Sequence, residues 1–165
     1  MRSHFVFLLV VVSACGEKGP SGTLCERTFQ PYSDLTAGRA RTKANANYLE
    51  AMALYAQRDY AGAKDGLKTF LAEQRDDQSA YVYLACCHLA LGEPYAAELQ
   101  LDHLQRSNTL QFDDQIDWYT VVCWVCSDQL ERARTGAEHI AISKAHTYSK
   151  DAATLLKGLD AGAVQ

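Results

Sequence analysis

Two stretches of this chain superimpose at an offset of 34 residues, and that repetition narrows the possible folds more than any other feature. The first, from Ala44, reads ANANYLEAMALYAQRDYAGAKDGLKTFLAEQRDD; the second, from Gln78, reads QSAYVYLACCHLALGEPYAAELQLDHLQRSNTLQ. Ala51 falls on Ala85, Ala63 on Ala97, Leu67 on Leu101 and Phe70 on Leu104, while Leu54 falls on His88 and breaks the apolar match. A unit of this length is one supersecondary element that cannot bury both faces alone and gains a core by stacking on its neighbours. Apolar spacing of three and four within each half predicts two helices per unit. Pro94 suits the first turn of a helix, where the missing N–H leaves no bond unmade.

A third, weaker unit runs from about Asp114 to Ala145, with IDWYTVVCWVC and LERARTGAEHIAIS as its halves. Ala133 takes the place of Ala97 at an offset of 36, so the connection around Asn108 to Asp113 holds two extra residues. YSKDAATLLKGL then puts Ala152, Leu155, Leu156 and Leu159 on one helical stripe. The expected fold is all-α: three helical hairpins at 44–77, 78–111 and 114–145, with a closing helix at about 149–160.

Tyr81, Leu84-Ala85, Gly92 and Ala97 in the second unit resemble the signature of the tetratricopeptide repeat. The first unit keeps Ala51, Asp59-Tyr60 and Ala63, but has Glu50 and Arg58 where that family carries Leu and Gly. The resemblance covers about two thirds of the chain. It implies a helical solenoid whose first helices line a concave groove for a partner protein. Carried over by register, that groove comprises Asn45, Tyr48, Met52 and Tyr55 from the first unit, Ser79, Val82, Cys86 and Leu89 from the second, and Gln115, Trp118, Val122 and Val125 from the third, with Tyr48, Met52, Tyr55, Val82, Leu89, Trp118, Val122 and Val125 as its apolar contacts. These residues suit an apolar or amphipathic segment of a partner. They suit equally a groove filled by the chain's own tail or closing helix, or a small apolar ligand.

The amino terminus, MRSHFVFLLVVVSACGEKG, places Arg2 before the apolar run Phe5–Val12. Eight residues rise only about 12 Å as a helix, far less than the roughly 30 Å of a bilayer core. A positive start, a short apolar run and small residues before a cleavage point read as a secretory leader. Val12-Ser13-Ala14-Cys15 resembles the lipobox of bacterial lipoproteins, which implies cleavage after residue 14 and a lipid anchor on Cys15. An ordinary secretory peptide is also cut there and leaves Cys15 unmodified. GEKGPSG, which follows, has too little apolar surface to order itself. Residues 15–37 are therefore expected to form a flexible tether and 38–165 the repeat domain. Gly16 in place of Asp leans toward the periplasmic side of the outer membrane, by the same resemblance.

Six cysteines are many for a cytosolic chain of 165 residues. Cys86, Cys87, Cys123 and Cys126 fall on neighbouring first helices. They are expected either as small packing residues or as a disulfide, Cys87–Cys123 or Cys86–Cys126; Cys25 lies in the tether, free or paired between chains. Cys123-x-x-Cys126 has the spacing of a thiol redox pair, but it falls late in an apolar helix rather than at a helix N-terminus. No metal-binding spacing, phosphate loop or nucleophile elbow is present, so neither catalytic residues, metal nor cofactor is expected. A net charge of −4 with scattered cations gives no footprint for nucleic acid. The sequence thus points to an anchored scaffold of the cell envelope that binds a protein or peptide, with a periplasmic thiol protein using Cys123 and Cys126 as the alternative.

Overall fold

The computed structural model describes residues 22–107 and 111–162, and every regular element among them is a helix. The leader at 1–14 and Cys15 lie outside the described residues. Five residues, Leu24–Thr28, form α1; α2 (Ala46–Ala56) and α3 (Tyr60–Glu73), α4 (Gln78–Ala90) and α5 (Pro94–Arg106), and α6 (Asp113–Cys126) and α7 (Leu130–Ile142) follow as three hairpins, and α8 (Ser149–Gly162) closes the array. Each helix from α2 to α8 packs on the next, and α4 also packs on α6.

Each hairpin turns in the same way. Arg58, Gly92 and Asp128 occupy the left-handed region, with φ of 62°, 72° and 60°. In each turn, that residue's N–H reaches back to Tyr55, Leu89 or Val125, and the next N–H reaches Leu54, His88 or Trp124. This is the Schellman closure of a helix, which satisfies carbonyls that the helix end leaves unpaired. Only Gly92 makes the conformation free of steric cost. Asp59 and Asp77 then cap the helices that follow, accepting from Gly62 and Ala80 at 3.0 Å.

Small residues set the helix spacing. Ala51, Ala63, Ala85, Ala97, Ala133 and Ala137 are at most 1% exposed. A Cβ placed on Gly66 would lie 2.8 Å from the Ala51 Cβ, and one on Gly136 would lie 2.6 Å from Val121 Cγ2. Leu67, Leu101 and Tyr83 fill the spaces between hairpins, and α8 contributes Ala152, Leu155 and Leu159 to the same core. His88 is buried and bonds Glu93 at 2.5 Å, and Glu93 accepts from Lys64 at 3.0 Å, which ties the first hairpin to the second.

The expected tether departs from the structure. From Thr23 onward the chain is built into the fold rather than free. Thr23 and Glu26 form a reciprocal capping box at the start of α1, which rests on α6 and α8. Leu24, Cys25, Phe29 and Tyr32 pack against the core. The composition of residues 15–37 is polar on average, but the apolar residues it does hold are concentrated after Leu24, where they find a surface.

Candidate functional site: a tyrosine groove occupied by the chain itself

Residues Phe29–Thr36 run without regular structure across the first helices of the three hairpins. Three tyrosines rise from that floor, Tyr55 on α2, Tyr83 on α4 and Tyr119 on α6. Tyr119 donates to the carbonyl of Gln30 at 2.9 Å, Tyr55 to that of Tyr32 at 2.8 Å and Tyr83 to that of Ser33 at 3.0 Å. The Tyr83 hydroxyl also accepts from the Leu35 N–H at 3.0 Å. All four bonds are made to main-chain atoms of the strap.

One strap side chain is seated in the floor. The Tyr32 ring packs on Tyr83 with centroids 5.6 Å apart, and its hydroxyl accepts from Gln115 at 3.4 Å. Tyr55 meets Tyr83 edge-on at 5.1 Å, so the three rings form one aromatic group. Beneath them lies the fully buried Cys86, whose thiol meets the Tyr32 backbone and the hydroxyls of Tyr55 and Tyr119.

Burial sets the protonation of this site. It pushes Tyr83 up to about 12 and Cys86 up to about 11, and raises Tyr55 and Tyr119 further. The phenols therefore keep the protons they donate. Each neutral bond contributes about 1 kcal/mol net, whereas fixing the backbone of one residue costs about 1–2 kcal/mol. Four bonds do not by themselves order eight residues. The rest of the hold comes from the apolar contacts of Phe29 and Tyr32 and from a covalent link.

That link is a disulfide between Cys25 on α1 and Cys126 at the end of α6, with Cα atoms 4.7 Å apart and a sequence separation of 101. It corrects the expected pairings. Cys86, Cys87 and Cys123 are free and buried, so neither Cys87–Cys123 nor Cys86–Cys126 forms. Cys126 is bonded to Cys25 on α1, so it makes no redox pair with Cys123, whose thiol burial raises far above the ordinary range. A nucleophilic thiol needs the opposite shift. Cys25 escaped the sequence reading because its partner is set by where the strap lies, and a polar leader-proximal segment gave no sign of docking.

The expected groove residues are corrected too. Tyr48, Met52, Tyr55, Val82, Leu89, Trp118, Val122 and Val125 are all at most 5% exposed, so none offers an open docking face. Tyr48 bonds Ser79 at 2.9 Å and packs on Phe70, and Trp118 stacks on Tyr148 at 5.5 Å. The groove is self-filled: the N-terminal strap covers Tyr55, and the segment leading into the closing helix covers Trp118 through Tyr148. Tyr83 and Tyr119, which address the strap directly, were not among the residues expected. Their separation of 36 residues equals that of Ala97 and Ala133, and this repeat equivalence was the signal available.

Beside the strap lies a cavity of about 660 Å³, walled by α1, α6 and α8 and lined by Arg27, Trp118, Tyr148, Asp151 and Leu155 among others. No group of three or more His, Cys, Asp or Glu among the described residues is arranged to hold a metal ion, and no described helix is long and apolar enough to cross a membrane.

The fold and the site define an all-α array of stacked helical hairpins whose first helices are crossed by the chain's own N-terminal strap. No protein family, curated protein or solved structure matches this chain.

Proposed function

We propose that this chain is an exported lipoprotein with tetratricopeptide-type repeats, anchored through Cys15 in the cell envelope, and that it serves as a docking scaffold with no chemistry of its own. The observation that carries the reading is the Cys25–Cys126 disulfide. Thiols in the cytosol are kept reduced, whereas exported domains keep disulfides. A leader ending in Val12-Ser13-Ala14-Cys15 supplies the route of export and the anchor. Stacked hairpins supply an extended scaffold. Because the first helices are covered, a protein or peptide with an apolar or amphipathic segment docks in this reading either in place of the strap or on the outer face, where Tyr95 and Leu99 of α5 are exposed.

The disulfide also shortens the anchor. Ten peptide links separate Cys15 from Cys25 and span at most about 35 Å. The repeat array thus works close to the bilayer, on the periplasmic side of the outer membrane in this reading, rather than at the end of a long tether.

Intact mass and membrane fractionation test the anchor. The mature chain is expected to begin at Cys15, to carry acyl chains there and to sediment with membranes, while Cys15→Ser is expected in the soluble fraction. An unmodified Cys15 in a soluble mature protein overturns the anchor. Affinity capture from detergent-solubilised envelopes is expected to recover one partner in stoichiometric amount, and recovery of the chain alone overturns the scaffold.

A further inference from the structure

The concave face recognises main chain, and its present occupant is held by a bond that chemistry can open. The hydroxyls of Tyr55, Tyr83 and Tyr119 address the carbonyls of Tyr32, Ser33 and Gln30 and the N–H of Leu35, none of which depends on strap side chains. Sequence enters through the Tyr32 ring on Tyr83, through Phe29, which packs on the core, and through the buried Thr36. Cys25 and Cys126 are both partly exposed, so the bond is open to a reagent in solution. Past Thr36 the strap leads into residues 37–44, which are exposed throughout and include Gly38 at φ +80° with no atom near its missing Cβ. The strap is thus fastened at one end by sulfur, through Cys25 on α1, and joined at the other to a segment held by solvent-exposed bonds: Arg41 to Glu50, Asn45 to the Ala40 carbonyl at 3.0 Å and a reciprocal Thr42–Asn45 pair.

We propose that the Cys25–Cys126 disulfide is a redox latch on this groove: a dithiol opens it, the strap leaves, and the three tyrosines accept in its place an extended segment of another protein that carries an aromatic residue where Tyr32 sits. One thiolate of the reagent attacks one sulfur of the pair, and the other sulfur departs as a thiolate and takes up a proton. The reagent's second thiol then displaces the first attachment. The reagent ends oxidised as a cyclic disulfide, and Cys25 and Cys126 end as two thiols. Cys123 lies one turn before Cys126 but is fully buried, so it does not capture Cys126 and the latch has two states. The latch stands apart from the lipid anchor. An unmodified Cys15 would leave it untouched.

Cys86 is the built-in reporter, because the strap covers it, while Cys87 and Cys123 serve as internal controls. Alkylation of the full mature chain with N-ethylmaleimide, read by peptide mass spectrometry, tests the proposal. In the oxidised protein all three thiols are expected to react slowly. After treatment with dithiothreitol and its removal, and in Cys25→Ser without reductant, Cys86 is expected to react at least about tenfold faster while Cys87 and Cys123 keep their slow rates. An excess of the peptide FQPYSDLT is expected to slow Cys86 again, and the same peptide with alanine for tyrosine is not. A Cys86 that stays protected in both opened forms overturns the latch. So does simultaneous reaction of all three thiols, which marks unfolding of the array. Failure of the peptide to protect the opened Cys86, or a Cys25→Ser dimer with exchanged straps, overturns the partner segment as occupant.

Discussion

The Tyr119 hydroxyl on α6 donates to the carbonyl of Gln30, 89 residues earlier in the chain, at 2.9 Å. This bond joins the third hairpin to a segment that precedes the first. With the matching bonds from Tyr55 and Tyr83, it makes the strap a structural member that crosses all three hairpins.

Tyr83 serves the strap twice, as donor to Ser33 and acceptor from Leu35. Tyr83→Phe keeps the ring and removes both bonds. It is expected to destabilise the protein by about 1–2 kcal/mol in urea denaturation.

Loss of the disulfide releases a loop closed across 101 residues. Cys25→Ser is expected to lower unfolding stability by about 2–4 kcal/mol. Thermal melts with and without reductant check this. The wild type should fall to the level of the variant on reduction, and the variant should be indifferent to reductant.

The three hairpin turns differ in residue but share one conformation, with φ near +60° to +70° at Arg58, Gly92 and Asp128. Arg58→Gly is expected to stabilise by up to about 1 kcal/mol, since the left-handed region costs a residue with a Cβ about that much. Gly92→Ala is expected to destabilise by a similar amount, although open space surrounds the position. Denaturation midpoints decide both, and a loss in Arg58→Gly would show that the Arg58 side chain contributes more than its backbone costs.

Gly136 allows α7 to approach α6 closely, and an added Cβ would lie 2.6 Å from Val121 Cγ2 and 2.9 Å from the Trp124 ring. Gly136→Ala favours helix intrinsically, yet is expected to destabilise by about 1–3 kcal/mol through overpacking. Far-ultraviolet circular dichroism should show retained helix with a lowered melting temperature.

Stability is expected to be greatest between about pH 6.5 and pH 9. Desolvation depresses His88 below its ordinary 6.5, although Glu93 opposes the shift and Lys64 and Lys68 add to it. A depressed histidine resists protonation in the fold, so its contribution is present above 6.5 and is lost as the pH falls through the folded value. Glu93, depressed by Lys64 and His88, and Asp114, depressed by Thr147, add losses below about 4.5. On the alkaline side, burial raises Cys86 from 9.0 to about 11, and Tyr83 and Tyr148 from 10.0 to about 12. Their contribution is complete below the unfolded values and is lost as the pH rises through the folded ones. Urea midpoints from pH 4 to pH 11 should trace this plateau with a decline on each side.

The sequence by itself determined the helices from α2 to α8 and their order, but not α1, which falls within the expected tether. The alanines at 51, 63, 85, 97 and 133 recur at offsets of 34 and 36, and a repeat of that kind is local information, since each unit specifies its own hairpin and its contact with the next. What only the tertiary structure decided is the fate of the groove. Cys25 and Tyr32 precede the first repeat, Cys126 lies in the third, 101 positions after Cys25, and nothing periodic links them. Their meeting depends on a non-local fit, in which a polar-looking segment gains enough from three tyrosine hydroxyls, a few apolar contacts and one disulfide to offset the entropy of lying still. Composition averages over such a segment and hides it, whereas the folded array supplies the surface on which its few apolar residues count.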